Sequence, residues 1–194
     1  MSFVNVPVTK EGVDTVSFLA ASDGAVKIFD VLGSAAFSAV ISDMNGSINK
    51  VRAYYTTNPE RSKTLESLVV SEQSEKKRTA TEGLMWLLRA LRFIHIGLQN
   101  SLTNKTEELS KSFSDAYDDS LKHYHNFIFR GLYAIAIQAS PRRRDFYLKL
   151  GSPLKKVEKE LEKWLVALGA IIKCMQEFYR GKESSGENTH HAEL

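Results

Sequence analysis

The stretch DMNGSINK at residues 43–50 lies inside a long run of helical periodicity. On a helix, Asp43, Ser47 and Lys50 share one face, because their spacing is i, i+4 and i+7. An apolar stripe lies roughly 100° away and comprises Phe37, Val40, Ile41, Met44, Ile48 and Val51. The helix thus places an acid, a hydroxyl and an amine beside an apolar face, which suits a ligand with a polar head and an apolar body. A solvated face carrying an Asp–Lys pair would show the same spacing.

The composition predicts one soluble globular domain. The chain has 194 residues, of which 43% are hydrophobic and 25% charged, enough for a sizeable core. Its net charge of +3 is too small to indicate a nucleic-acid partner, although it is compatible with contact with an anionic membrane surface. The single cysteine, Cys174, excludes a disulfide within the chain and is expected to be a buried thiol in a reducing compartment.

The sequence predicts neither a signal peptide nor a membrane span. The N-terminus lacks a charged segment followed by an apolar one. The apolar run at residues 132–137 is far shorter than the roughly 20 residues that cross a bilayer. We therefore expect a cytosolic monomer that meets membranes only peripherally.

Apolar periodicity and breaker residues predict an all-α single domain of about eight helices. The expected ranges are 13–21, 25–55, 60–75, 80–101, 107–122, 121–140, 142–150 and 153–180. Residues 23–24 are expected to end the first helix, Gly33-Ser34 to bend the second, and the segment TATE at 79–82 to form a capping box for the fourth. No strand of weight is expected. Residues 1–180 form the domain in this interpretation, and 181–194 form a polar tail.

Two aromatic side chains allow either a structural or a functional interpretation. Trp86 shares a face of the fourth helix with Phe93 and with small residues, a pattern typical of core packing or of a cleft wall. His125 lies on the apolar stripe expected for the sixth helix, where a histidine is more often a core residue with satisfied hydrogen bonds.

The sequence lacks the common motifs of catalysis and cofactor binding. There is no glycine-rich phosphate loop, HExxH, CxxC or GxSxG. Residues 118–119, His123 and His125 are the nearest set of metal-ligand types, but their spacing puts them on different helix faces. We therefore expect no cofactor, no metal and no enzymatic activity.

Several segments together resemble the glycolipid transfer protein family. They occur in the family's order at residues 28–37, 43–50, 57–59, 64–65, 83–93, 116–125, 139–141 and 145–146. The combination of an Asp-then-Lys helix, a Leu-Met-Trp-Leu helix and a Tyr-His segment is specific, whereas any one motif would be weak. The chain most resembles the fungal heterokaryon-incompatibility members of the family.

The resemblance implies a fold of eight helices in two layers enclosing one sphingolipid, and it implies roles for five side chains. Asp43 would accept hydrogen bonds from the first sugar and from the lipid amide N–H, and His125 would donate to the amide carbonyl. Lys50 would donate to sugar hydroxyls, and Trp86 would form a platform under the first sugar ring. Ser47 stands where the family usually has Asn, and its shorter hydroxyl is expected to weaken or redirect head-group binding by about 1 kcal/mol.

An apolar tunnel is expected for the lipid chains. A chain of roughly 16 methylenes costs about 13 kcal/mol to expose to water, so a polar cleft alone cannot extract the lipid. The candidate lining residues are Ile28, Phe29, Leu32, Phe37, Val40, Phe93, Leu121, Leu132, Ile135, Ala136 and Ile137.

The expected membrane contact consists of Phe127, Ile128, Arg142, Arg143 and Arg144. The three arginines would equally form a solvated basic turn. Phe127 stands where animal members of the family often carry Trp, and it lacks an interfacial N–H. The polar tail lacks the aromatic residue that closes the site in some members.

Four function classes follow. The first is non-enzymatic transfer of glycosphingolipids between membranes, with glucosyl-, galactosyl- or lactosylceramide as ligand. The second is transfer of ceramide-1-phosphate or another sphingolipid, and a phosphate would call for several basic residues around it. The third is a glycolipid sensor or scaffold that does not transfer lipid, and the fourth is a hydrolase using Asp43 and His125 as acid and base.

Overall fold

The computed structural model describes residues 1–32 and 37–184, and the side chains up to Lys182. Eight α-helices dominate these residues, which confirms the all-α prediction. Their bounds are α1 Thr15–Leu32, α2 Ser38–Thr57, α3 Leu65–Glu72, α4 Thr79–Thr103, α5 Leu109–Ser120, α6 Phe127–Gln138, α7 Arg143–Leu150 and α8 Leu154–Ser184. The bend expected at Gly33-Ser34 and most of the expected tail lie outside the described residues.

A short antiparallel pair, β1 Val8–Thr9 and β2 Gly12–Val13, precedes α1. No strand of weight was expected, and the pair is only two residues long on each side. Val13 donates its backbone N–H to Glu66 Oε2 of α3 at 2.9 Å, so the pair is attached to the helical body.

Helix α1 runs through residues 23–24, so the break predicted there is wrong. Gly24 is accommodated within the helix because the N-terminus passes close to it. A Cβ atom at Gly24 would lie 2.9 Å from the carbonyl oxygen of Met1. Asp23 faces α2 and accepts a hydrogen bond from Arg52 at 2.7 Å. The glycine therefore serves a close approach and not a helix end.

The N-termini of α3 and α4 are capped differently from the prediction. Helix α3 begins at Leu65, not at residue 60, because Thr64 and Ser67 form a reciprocal capping box. The box expected at residues 79–82 is absent, since the N-cap of α4 is Arg78 and makes no side-chain capping bond. The buried Glu72 at the end of α3 accepts the N–H groups of Ala80 and Thr81 at 2.9 and 2.6 Å instead.

Residues 121–140 do not form one helix. After α5, Lys122–Tyr124 form a 3₁₀ turn, His125 is extended, and Asn126 caps α6 by accepting the N–H groups of Ile128 and Phe129. His125 therefore lies in a bend between two helices and not on the expected apolar stripe. The asparagine cap explains why the helix begins again at Phe127.

Helix α4 is the centre of the core. It packs against α2, α5, α8 and α3, and its 25 residues include the buried Leu84, Leu88, Leu91 and Ile94. The longest helix, α8, packs against α4 and continues to Ser184, a few residues past the expected end at residue 180. Within the described residues, no helix is both long and apolar enough to cross a membrane.

Glu72 provides a test of the α3–α4 junction. Replacing it, Glu72→Ala, is expected to lower the free energy of unfolding by about 2–3 kcal/mol, because two charge-assisted hydrogen bonds are lost and two N–H groups lose their acceptor. Urea denaturation followed by circular dichroism measures this. The matched control is Glu82→Ala at an exposed carboxylate in the first turn of α4, which should change stability by less than about 0.5 kcal/mol. Equal losses in both variants would contradict the capping role.

Candidate functional site

A pocket of ≈530 Å³ lies between α2, α4 and the bend before α6. All five residues predicted to bind a polar head line it together: Asp43, Ser47, Lys50, Trp86 and His125. Five further lining residues were not predicted: Ser42, Gly46, Tyr124, Asn126 and Phe129. Tyr124, Asn126 and Phe129 were missed because the sequence interpretation extended α6 through the bend that brings them to the pocket, whereas Ser42 and Gly46 lie on α2 beside the predicted residues.

The two walls of the pocket approach closely where α2 crosses α4. A Cβ atom at Gly83 would lie 2.9 Å from the Cβ of Lys50 and 3.2 Å from the carbonyl oxygen of Ser47. A larger residue at this position would push the helices apart. Gly83 lies one turn before Trp86 on α4, so the contact sets the distance from the Trp86 ring to the polar face of α2.

The polar face of α2 combines a partly desolvated acid with an amine. Burial raises the pKa of Asp43, and the nearby Lys50 ammonium partly opposes that shift. Ser47, one turn along, is buried on the pocket wall. The face therefore presents an acceptor, a hydroxyl and a donor within two helical turns, as the spacing predicted.

His125 is held between aromatic side chains. Its ring stacks on the Trp86 indole with centroids 5.8 Å apart and an interplanar angle of 16°. Its Nδ1 lies 3.1 Å from the buried hydroxyl of Tyr117 on α5. Burial first, and then the Arg130 guanidinium, lower the pKa of His125. The neutral ring is therefore favoured, and Arg130 also fixes the bend by donating Nε to the His125 carbonyl at 2.8 Å.

Arg89 supports the pocket from behind. It is buried on α4, and its guanidinium lies 3.7 Å from the ring centroid of Tyr124 and 5.2 Å from that of Trp86. A planar cation stacked on aromatic rings holds them in place. The spacing of Trp86 and Arg89 on one helix already indicated that the two side chains are neighbours. The contact with Tyr124 was not predicted, because Tyr124 belongs to the bend that was expected to be helical.

A series of rings connects the pocket with the core. Tyr133 of α6 lies 4.7 Å from the His125 ring and 5.9 Å from the Phe93 ring, centroid to centroid, and it stacks on Tyr117 at 5.1 Å. Phe93 is one of eight predicted tunnel residues that are buried in the core. The others are Phe29, Leu32, Phe37, Val40, Leu121, Ala136 and Ile137.

Three predicted tunnel residues lie elsewhere. Leu132 and Ile135 are 42% and 63% exposed, because they occupy the outer face of α6, so their assignment to an enclosed tunnel is wrong. Ile28 is half-buried and lines a separate pocket of ≈450 Å³ with Trp164 of α8 and the segment before that helix.

The residues predicted to contact a membrane divide into two groups. Phe127 and Ile128 are 83% and 58% exposed at the start of α6, and Arg142 and Arg144 are exposed near α7. Arg143 is partly buried and already has protein partners, so it is less available for docking than the other two arginines. It donates Nε to the Ser101 carbonyl at 3.1 Å, pairs with Glu158 at 3.5 Å and lies over the Tyr147 ring.

A comparison with known families supports the sequence resemblance. The family model described as "Glycolipid transfer protein (GLTP)" matches residues 13–152. The chain belongs to the glycolipid transfer protein family. A glycolipid transfer protein of Aureobasidium melanogenum is 45% identical over 183 residues, which covers 94% of this chain and 91% of the relative.

Solved structures of the glycolipid transfer protein family share the fold. The fungal glycolipid transfer protein HET-C2 superimposes with a TM-score of 0.90 at 41% identity and covers 94% of both chains. This confirms the predicted two-layer fold and the likeness to fungal members. Human ceramide-1-phosphate transfer protein in complex with 12:0 ceramide-1-phosphate has a TM-score of 0.83 at 20% identity, covering 96% of this chain and 94% of that one. At that identity the match concerns the fold alone.

The contact between Arg89 and Tyr124 can be measured with a double-mutant cycle. We expect Arg89→Met and Tyr124→Leu to show a coupling free energy of about 1–2 kcal/mol in urea unfolding, because each removes the same buried cation–π contact. The control cycle pairs Tyr124→Leu with Arg92→Met, since Arg92 contacts the Asp119 carbonyl at 3.4 Å instead. That cycle should give a coupling near zero, and similar coupling in both cycles would contradict the stacking role.

Proposed function

We propose that this protein transfers glycosphingolipids between membranes without chemical change, with the first sugar in the pocket between α2 and α4. The observation that carries the proposal is the convergence of the five predicted residues on that one pocket. Family membership supports a glycolipid as cargo. Glucosyl-, galactosyl- or lactosylceramide are the ligands proposed.

The proposed head-group contacts follow from the donors and acceptors of a ceramide-linked sugar. Asp43 accepts from sugar hydroxyls and from the amide N–H, Lys50 donates to hydroxyls, and the exposed part of the Trp86 ring covers the apolar face of the sugar. The raised pKa of Asp43 reflects burial, and bound hydroxyl and N–H donors would stabilise the charged carboxylate.

His125 is proposed to donate to the amide carbonyl. The Tyr117 hydroxyl lies within hydrogen-bond distance of Nδ1. When Tyr117 donates to Nδ1, the neutral imidazole carries its proton on Nε2, which leaves that atom as a donor. His125 would thus donate to the carbonyl of the lipid amide, while Asp43 would accept from the N–H of the same amide.

The lipid chains are proposed to enter the core beside the Tyr133 and Phe93 rings. The eight buried residues of the predicted tunnel lie in the same hydrophobic core, and a chain of about 16 methylenes needs roughly 13 kcal/mol of compensation for leaving the bilayer. Polar contacts of about 1 kcal/mol each cannot supply that amount, so apolar burial must.

Ceramide-1-phosphate is the second candidate ligand. Human ceramide-1-phosphate transfer protein has the same fold. Among the described residues that line the pocket, the cation is Lys50, and it stands beside the Asp43 carboxylate. A phosphate would be repelled by Asp43 and would gain from more than one cation. The pocket therefore favours a neutral sugar over a phosphate.

The membrane contact is proposed to be the outer face of α6. Ile128, Leu132 and Ile135 are exposed apolar residues that share this face, at spacings of i, i+4 and i+7, and the exposed Phe127 precedes them at the start of the helix. The partly exposed Phe129 points instead to the head-group pocket. The two residues that were wrongly placed in the tunnel extend the predicted contact by about two helical turns. An apolar face of this kind inserts at the bilayer interface, where a departing lipid would be passed to the pocket.

Removing the sugar platform or the acceptor should stop transfer. Trp86→Ala and Asp43→Val are each expected to abolish transfer of labelled glucosylceramide between vesicles while the helical circular dichroism spectrum persists. Trp164→Phe alters the other tryptophan, outside the pocket, and should retain transfer. Ser47→Asn should retain or raise transfer, because an amide reaches further and makes more hydrogen bonds than a hydroxyl. Transfer retained by either of the first two variants would refute the head-group assignment.

The α6 face can be tested by vesicle binding. The double variant Phe127→Ser/Ile128→Ser is expected to bind phosphatidylcholine vesicles about tenfold or more weakly, because two apolar side chains no longer insert. Sedimentation with vesicles measures this. The matched control is Val166→Ser on α8, where the valine is 68% exposed. A comparable loss in that control would show that exposed apolar area in general, and not this face, drives binding.

A further inference from the structure

A second pocket adjoins the proposed head-group pocket. It has a volume of ≈580 Å³ and lies between the C-terminal half of α2 and the start of α4. Its lining includes Asn49, Ala53, Tyr54, Glu75 and Lys77, and it shares Gly46 and Lys50 with the first pocket. We call this second pocket the distal groove.

The two pockets follow one stripe of α2. Asp43, Gly46 and Lys50 line the first, and Lys50, Ala53 and Thr57 line the distal groove at spacings of three or four residues. From Asp43 to Thr57 the stripe extends roughly 20 Å along the helix axis. A Cβ atom at Gly46 would meet nothing within 4 Å, so α2 leaves the junction between the pockets open.

The charges around the distal groove are balanced. Lys50 and Lys77 stand against Glu72 and Glu75, so the lining favours neither an anion nor a cation. The N–H groups at the start of α4 are already bonded to Glu72, which removes the feature that would attract an anion there. A neutral ligand therefore fits the groove best.

The chemistry of the distal groove suits a carbohydrate. Ala53 supplies exposed apolar surface, Tyr54 and Ala80 are largely buried lining residues, and the polar groups at the edge include an amide, an ammonium, a hydroxyl and a carboxylate. The Tyr54 hydroxyl donates to Glu75 Oε1 at 2.9 Å and so fixes this carboxylate as an acceptor at the edge. Apolar surface with a few fixed hydrogen-bonding groups is what a sugar ring with equatorial hydroxyls requires.

We infer that the distal groove binds the second and third sugars of a neutral oligosaccharide head group, and so selects di- and trihexosylceramides over monohexosylceramides. This inference rests on the proposed function, because the first sugar must occupy the head-group pocket. The sugars in the groove are tethered to the first one, so weak contacts there become effective at a high local concentration.

The experiment measures transfer of mono-, di- and trihexosylceramide between vesicles by the wild-type protein and by groove variants. Ala53→Trp places a large side chain in the groove at an exposed helix position, and Lys77→Ala removes a donor outside any helix. Each is expected to lower the ratio of trihexosyl- to monohexosylceramide transfer by roughly fivefold, as for the loss of a net hydrogen bond or its equivalent. Monohexosylceramide transfer should stay within about twofold of wild type.

The matched control is Asn45→Trp, on another face of the same helix and in neither pocket. It should leave the ratio unchanged. An unchanged ratio in both groove variants, with normal monohexosylceramide transfer, would overturn the inference and leave the proposed function standing. A wild-type protein that transfers no hexosylceramide at all would overturn both.

Free trihexose distinguishes a head-group extension from an independent sugar site. Titration calorimetry with the soluble trisaccharide should show no binding at millimolar concentration, because the groove acts only on tethered sugars. Binding of the free sugar that Ala53→Trp removes would overturn the inference in favour of an independent oligosaccharide site.

Discussion

The close approach of α2 and α4 at Gly83 is the contact on which the rest of the site depends. Because no side chain separates the helices there, the Lys50 stem and the Ser47 carbonyl lie against the α4 backbone. Both pockets lie along this crossing, one on each side of Lys50. The distance from the Trp86 ring to the polar face of α2 is thus set by backbone packing, which is far less compressible than a flexible side-chain contact.

Buried charges position the elements around that crossing. Glu72 joins the end of α3 to the start of α4 through two backbone N–H groups, and Arg89 joins α4 to the bend before α6 through Tyr124. In each case a charged side chain that does not itself line the head-group pocket helps to position the elements that do. A buried charge that loses its partner is strongly unfavourable, so each of these side chains favours the arrangement that keeps its partner in place.

The proposed division of labour follows from energies of different size. In the proposed transfer, selection of the head group would use hydrogen bonds worth about 1 kcal/mol each, and the Asp43 carboxylate would disfavour a phosphate. Extraction of the lipid needs roughly 13 kcal/mol per chain and must come from apolar burial. The exposed apolar face of α6 and the buried rings behind His125 are accordingly separate surfaces joined at one bend.

The sequence by itself determined the helical class and the polar face of α2, because helical periodicity is local and Asp43, Ser47 and Lys50 follow it, but it predicted five of the ten described residues that line the pocket. The sequence did not determine where the helices begin and end. Gly24 looked like a break but makes room for Met1, and residues 121–140 looked continuous although Asn126 caps a new helix. Only the tertiary structure placed Leu132 and Ile135 on the outside of α6, paired Arg143 with Glu158 and set Arg89 against Tyr124, since each depends on how elements distant in sequence pack together.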